Sequence, residues 1–348
     1  MNRETMTKAI IESVVQSFLK EMKRDPDRAL RKLVDMGEQF AKGMFQSRLF
    51  ALTQHMLQNE ESVYYVLMRR LVDQTCLETL KTFGVNLGYL GCVRGAERIR
   101  EKEAACAFHI PWAILVHLEE GQVFPLDEYD RMIQEGKADG VVTYLFDCQN
   151  PSALSFLIQL IQKEGDCAFG LSLSPSQVTE QLALQLEPLR NVLIILDTQQ
   201  ADFASAAERL RRHGCLYAGR REYWTPEDEQ AICSGAWAAL AADAGCALAF
   251  AYAGASCPDE ICRRVQAALE GQRNEPTAPV ILMNFYTDYL QVDQAISGET
   301  GFMGVLPDGR VTSCDGFREM PSELNLLGQP LDHVLAALNG QGKQDVTV

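Results

Sequence analysis

No pair of cysteines is spaced as CxxC and no CxxxCxxC occurs, although the 348 residues include eleven cysteines. A zinc or iron–sulfur site written on one local stretch is thereby excluded. The odd number and scattered positions also argue against a disulfide framework, leaving buried thiols in a reducing cytoplasm as the expectation. Long apolar runs are missing too, and none approaches the roughly 18 residues of a membrane span. The amphipathic opening, residues 1–25, has neither the apolar segment nor the small-residue cleavage site of a secretory signal, so a cytoplasmic chain is expected. Positive charge is scarce: 32 Lys+Arg stand against 47 Asp+Glu, a net charge of −15. Such a chain repels phosphate backbones, which excludes nucleic acid as a general partner. A Walker loop, a dinucleotide fingerprint and a Ser–His–Asp spacing are all absent.

What is present is a globular composition, 47% hydrophobic and 23% charged, enough for a large core and inconsistent with disorder. The length suits two domains, or one barrel with an addition. Charge is unevenly spread. Residues 1–105 hold 17 Lys+Arg and 14 Asp+Glu, the remainder 15 and 33, which supports a boundary near 105.

Residues 1–105 read as an all-helical domain. Ile10, Ile11, Val14, Val15, Phe18 and Leu19 recur at helical spacing. Asp25-Pro26 is a cap followed by a first-turn proline. Leu30, Leu33, Val34 and Phe40, then Met44, Phe45, Leu49 and Phe50, then residues 64–72, continue the pattern. Gly84, Gly88 and Gly91 read as punctuation before a charged helix at 95–104. From 106 short apolar runs alternate with amphipathic helices. Candidate strands are 112–118, 140–146, 167–173, 191–197, 215–219, 247–252 and 280–285. Helices are expected near 126–136, 151–163, 176–186, 201–213, 226–243 and 258–270. Repeated β-then-α of this length signals a parallel sheet with crossover helices. Asn150-Pro151, Ser174-Pro175, Thr225-Pro226 and Cys257-Pro258 place a capping residue and a proline where strand passes to helix. Residues 301–305 and 310–314 around Pro307-Asp308-Gly309 form an expected hairpin, and 330–338 a last helix. The expected divisions are a helical domain 1–105, a partial β/α barrel 106–290, and a hairpin with helix 291–348. The first four barrel strands are expected to be parallel neighbours in sequence order.

The order of these elements resembles the radical SAM superfamily, in particular bacterial members with a helical N-terminal region and a SPASM-like C-terminal hairpin. The similarity spans most of the chain. In that family a strand like Pro111-Trp112-Ala113-Ile114-Leu115 leads into the cluster loop CxxxCxxC. Here Val116-His117-Leu118-Glu119-Glu120-Gly121-Gln122 passes almost directly to Pro125-Leu126-Asp127-Glu128-Tyr129. The family's GGEP motif, which holds the methionine end of S-adenosylmethionine, is replaced by Phe146-Asp147-Cys148-Gln149-Asn150-Pro151. Near the C-terminus Gly298-Glu299-Thr300-Gly301 lacks the family's first cysteine, while the hairpin keeps Cys314. The resemblance therefore implies a partial (β/α)6-type barrel. A cluster that cleaves S-adenosylmethionine needs three thiolates on one loop, so no [4Fe–4S] or S-adenosylmethionine cofactor is expected. Cys148, Cys215, Cys257 and Cys314 read as packed thiols rather than an improvised cluster.

Candidate site residues lie where strands end, because β/α barrels hold ligands at that rim. His117 ends the first strand. A structural role is favoured over ligation, since no second His or Cys lies at ligand spacing, and no metal is expected. His109, in the loop before, reads as inert. Asp147 and Asp197 each end a strand, where they serve as acid and base, bind a cation, or cap the next helix. Arg220, Arg221, Tyr223 and Trp224 follow the fifth strand; they suit a carboxylate or phosphate, or a solvated rim with Trp224 packed beneath. Asn284, Tyr286 and Asp288 close the last strand. If the chain binds a small ligand, the expected place is among His117, Asp147, Asp197, Arg220 and Tyr286; the space of the missing loop is either open to solvent, which suits an enzyme or sensor, or refilled by Phe124 and Phe146, which suits a scaffold and is favoured. The expected function is a non-catalytic binding protein with a protein or peptide partner, such as an active radical SAM relative. The alternatives are an enzyme with repurposed chemistry at the barrel mouth and an authentic radical SAM enzyme with unusual ligands.

Overall fold

The computed structural model describes residues 3–25, 28–29, 32, 62–106, 108–120 and 124–342. The apolar positions Leu30, Leu33, Val34, Phe40, Met44, Phe45, Leu49 and Phe50 lie outside them. In chain order the described elements are α1 (Arg3–Met22), α2 (Val63–Gln74), α3 (Leu77–Gly84), a π-helical segment (Val85–Gly95), α4 (Ala96–Ala105), β1 (Ala113–Leu118), α5 (Leu126–Asp139), β2 (Thr143–Cys148), α6 (Leu154–Lys163), β3 (Ala168–Leu173), α7 (Glu180–Leu186), β4 (Val192–Asp197), α8 (Phe203–Arg212), β5 (Tyr217–Tyr223), α9 (Pro226–Cys233), α10 (Ala236–Asp243), β6 (Leu248–Ala253), α11 (Asp259–Asn274), β7 (Ile281–Asn284), α12 (Phe285–Ser297), β8 (Gly304–Val305), β9 (Arg310–Cys314), β10 (Glu319–Asn325) and α13 (Leu331–Gly342). The architecture is mixed α/β with a helical N-terminal region. The chain forms two compact units: residues 1–85 with 174–285, and residues 86–173 with 286–348.

In the first unit β4, β5, β6 and β7 pair in that order, all parallel. Asp25 Oδ1 accepts from Arg28 N, the expected cap. Leu19 and Met22 of α1 pack with Tyr64, Tyr65, Leu67 and Val72 of α2. The Arg70 guanidinium donates to the carbonyls of Ala242, Cys246 and Pro279 at 2.6, 2.9 and 2.6 Å. One charged group thus ties α2 to the end of α10 and the lead-ins of β6 and β7. Thr225 forms a reciprocal cap with Asp228. The helix expected over 226–243 is two helices, because Gly235 takes φ 78°, a left-handed conformation that breaks the run.

In the second unit β1, β2 and β3 are parallel neighbours in sequence order, as expected. β8 adds parallel to β1, and β8, β9 and β10 pair antiparallel. The hairpin stands where the turn residues put it. β10 was not legible, because Pro321 lies inside it; proline is tolerated there as an interruption of the ladder, and the register shifts between Pro321 and Asn325.

Gly84, Gly88 and Gly91 do not end the helical region, since the π-helical segment runs through two of them into α4. The strand expected over 280–285, with Tyr286 and Asp288 at its close, ends at Asn284, and α12 starts at Phe285. Burial of Phe285, Tyr289, Asp293 and Ile296 shows the period that decides it.

Candidate functional site

β1 and β2 run side by side with His117 opposite Asp147, and β2 and β3 with Asp147 opposite Ser172. Partners in a ladder share a face, so these three form one row at the strands' C-terminal ends. The opposite face is apolar and packs on α5: Tyr144 donates to the Ile133 carbonyl at 3.2 Å, and Phe146 meets Tyr129 edge-on at 6.3 Å between centroids. Phe146 precedes Asp147 and so points away from the row. Phe124 packs on Tyr129 at 4.9 Å. The expectation that Phe124 and Phe146 refill the space beside His117 is therefore corrected; the row carries imidazole, carboxylate and hydroxyl groups.

β10 completes the row. Glu319 faces Cys314 in the β9–β10 ladder. His117 Nε2–H donates to Glu319 Oε2 at 2.8 Å. Thr312 Oγ1–H donates to the other carboxylate oxygen, and Tyr286 OH donates to Oε2 at 3.5 Å. Gly304 makes the approach possible, since a Cβ there would overlap both Glu319 Oε1 and Thr312 Oγ1. His117 Nδ1 faces Asp147 Oδ2 at 3.9 Å, with side-chain exposures of 19% and 21%. Burial works against charge on His117, but the hydrogen bond to Glu319 and the fields of Glu319, Asp147 and Glu119 outweigh it and raise its pKa above the ordinary value. Of the five expected ligand residues the second unit thus brings together His117, Asp147 and Tyr286. Glu319 and Ser172 carried no sequence signal of a role.

Asp197 and Arg220 belong to the first unit, where they are register partners on β4 and β5. Asp197 accepts from Gln199 N at 2.9 Å, the local turn of a strand-ending aspartate. Arg220, Arg221 and Tyr223 lie within β5 rather than after it, because the strand runs on to Tyr223. Arg221 pairs with Asp228 at 2.8 Å. Trp224 is 46% exposed and not packed beneath the rim; its ring lies over Gly254, where a side chain would crowd it.

His109 is not inert. Its Nε2 meets Asp293 Oδ2 at 2.6 Å and its Nδ1 meets Glu103 Oε1 at 2.7 Å. Asp293 is buried and also accepts from Trp112 N and Gly301 N at 2.9 and 2.6 Å. Burial lowers the His109 pKa, but the two carboxylates more than reverse this and carry it up to about 10. The imidazolium is a buried clasp joining the lead-in of β1 to α4 and α12, and Asp293 extends it to the lead-in of β8.

The donors at the end of β1 decide whether a radical SAM cluster suits this chain. Residues 119–125 contain no cysteine. Cys148 and Cys314 are the nearest thiols in the same unit by strand position, but the ladders place them on opposite faces. Burial pushes their pKa values up to about 11 and about 12. A cluster held by three thiolates on one loop does not fit these residues.

No protein-family model matches the chain, and no curated protein does. Among solved structures, SuiB of Streptococcus suis bound to S-adenosylmethionine is similar at a TM-score of 0.51 and 11% identity, over 71% of this chain and 68% of that one. SuiB bound to the precursor peptide SuiA and SuiB by itself each give 0.49 at 11% identity, over 70% and 68% of this chain and 68% of theirs. The fold is radical SAM-like. Among the described residues no helix is long and apolar enough to cross a membrane.

Proposed function

We propose that this chain is a binding protein that keeps a radical SAM-like fold and works without an iron–sulfur cluster or S-adenosylmethionine. Its partner is a protein or peptide, and an active radical SAM enzyme is the favoured kind. One observation carries the reading: the end of β1, where such an enzyme needs thiolates, holds His117 ion-paired to Glu319 and flanked by Asp147. SuiB binds S-adenosylmethionine with this type of fold, but likeness of fold does not transfer function. The test is exposure of the reduced, iron-reconstituted chain to S-adenosylmethionine. The proposal expects no reductive cleavage above the protein-free control; cleavage that depends on Cys148 or Cys314 contradicts it.

A second reading is favoured by the polar row itself. His117, held through Nε2 with Nδ1 turned toward Asp147, has the disposition of an oriented general base. Under this reading the chain is an enzyme with repurposed acid–base chemistry. Loss of partner capture on His117→Gln with no loss of turnover supports the binding protein; the reverse supports the enzyme.

A further inference from the structure

Residues 222–262 hold seven Asp or Glu and no Lys, Arg or His. Glu222, Glu227, Asp259 and Glu260 are exposed. Glu222 lies near the end of β5, and the other three stand in the first turns of α9 and α11, the helices that follow β5 and β6. The two arginines just before this run are set against acid: Arg221 pairs with Asp228 at 2.8 Å, and Arg220 is the register partner of Asp197. This end of the first unit is therefore negative, and it favours a cationic partner.

Aromatic rings frame one of these carboxylates. Glu222 is opposite Tyr252 in the β5–β6 ladder, and Tyr252 stacks on Phe285 at 4.3 Å with 21° between the planes. Trp224, two residues on, falls on the same side of the chain as Glu222. A Cβ built on Gly254 would lie 2.9 Å from Trp224 Cε3 and 3.1 Å from Glu222 Oε1. The bare backbone of Gly254 thus lets ring and carboxylate lie against one patch, within the reach of about 6 Å that a cation–π contact needs. Trp224 keeps 46% of its surface in water. Its backbone is fixed: Tyr223 before it is fully buried, and Trp224 N donates to Asp228 Oδ2 at 3.4 Å. The ring is held at the surface rather than folded under the rim.

A tryptophan beside a carboxylate matches a guanidinium, whose planar cation stacks on the ring while its N–H groups reach the oxygens. A lysine ammonium, compact and strongly hydrated, gains less from the same pair. We propose that the end of β5 and β6 is a docking site for an arginine side chain of the protein or peptide partner, stacked on Trp224 and hydrogen-bonded to Glu222, with Tyr252 as the neighbouring wall. The inference deepens the partner reading above and rests on it.

The test uses the full chain and fluorescein-labelled triarginine amide, read by fluorescence anisotropy at about 0.15 M salt, where diffuse attraction is screened. Saturable binding is expected, and unlabelled tricitrulline amide, of like shape but without charge, does not compete. Trp224→Ala and Glu222→Gln each weaken binding about 2- to 5-fold, the scale of an exposed cation–π contact and of an exposed ion pair. Trp224→Phe recovers part of the loss, and circular dichroism of all variants stays that of the parent. Glu270→Gln, an exposed carboxylate toward the other end of α11, changes nothing. No binding by the parent, competition by tricitrulline, or undiminished affinity in Trp224→Ala overturns the proposal. An equal loss in Glu270→Gln overturns it too, since it marks a diffuse acidic surface. The titration contains no partner protein, so failure to capture one does not alter its result, and a negative titration leaves the partner reading to its own test.

Discussion

Glu319 accepts a hydrogen bond from His117 at 2.8 Å across 202 residues of chain. The contact joins the end of β1 to β10. Glu319→Gln removes the charge that most raises the His117 pKa. The His117 midpoint is expected to fall toward the ordinary histidine value, read from imidazole proton shifts by NMR. Gly304→Ala is expected to act in the same direction, since its Cβ takes the space of the Glu319 carboxylate. An unmoved midpoint in both variants would remove Glu319 from the site.

His109 makes stability depend on pH. Its folded-state pKa, about 10, lies above the ordinary 6.5. A raised value means that stabilisation is complete below about 6.5 and is lost as pH climbs toward about 10. The stability gap between the parent and His109→Gln, from urea unfolding, is expected to shrink steadily over that window. A gap that widens with rising pH contradicts the assignment.

Asp293→Ala removes the acceptor for His109, Trp112 N and Gly301 N together. Breaking a buried ion pair from one side costs about 3–5 kcal/mol. The measurement is again urea unfolding, and a loss below about 1 kcal/mol, the scale of an exposed pair, contradicts the buried clasp.

Arg70→Leu leaves three carbonyls of the first unit without their shared donor. Hydrogen bonds from a charged group contribute about 1.5–3 kcal/mol, so a loss of about 3 kcal/mol is expected in thermal or urea unfolding. A neutral substitution would mean that water replaces the guanidinium.

The fold was largely legible because its strands are short apolar runs between capped helices. Asn150, Ser174 and Thr225 each stand at the start of the helical turn they were expected to cap. The misses have local causes. Phe285, Tyr286 and Tyr289 are aromatic enough to read as strand, yet their burial follows a helix. Pro321 hid β10, and with it Glu319. The candidate site was legible as strand ends, which gave His117 and Asp147. It was not legible as a constellation, because a ladder register that sets Asp147 beside Ser172 is not written in either segment alone. His109 was passed over for the same reason: its partners are 6 residues before it and 184 after it.

Iron and acid-labile sulfide content after anaerobic purification and reconstitution tests whether the chain holds a cluster. Neither is expected in stoichiometric amount, nor any visible charge-transfer absorbance, because the donors at the end of β1 are imidazole and carboxylate. A reproducible [4Fe–4S] signal that disappears on replacing Cys148 or Cys314 would contradict it.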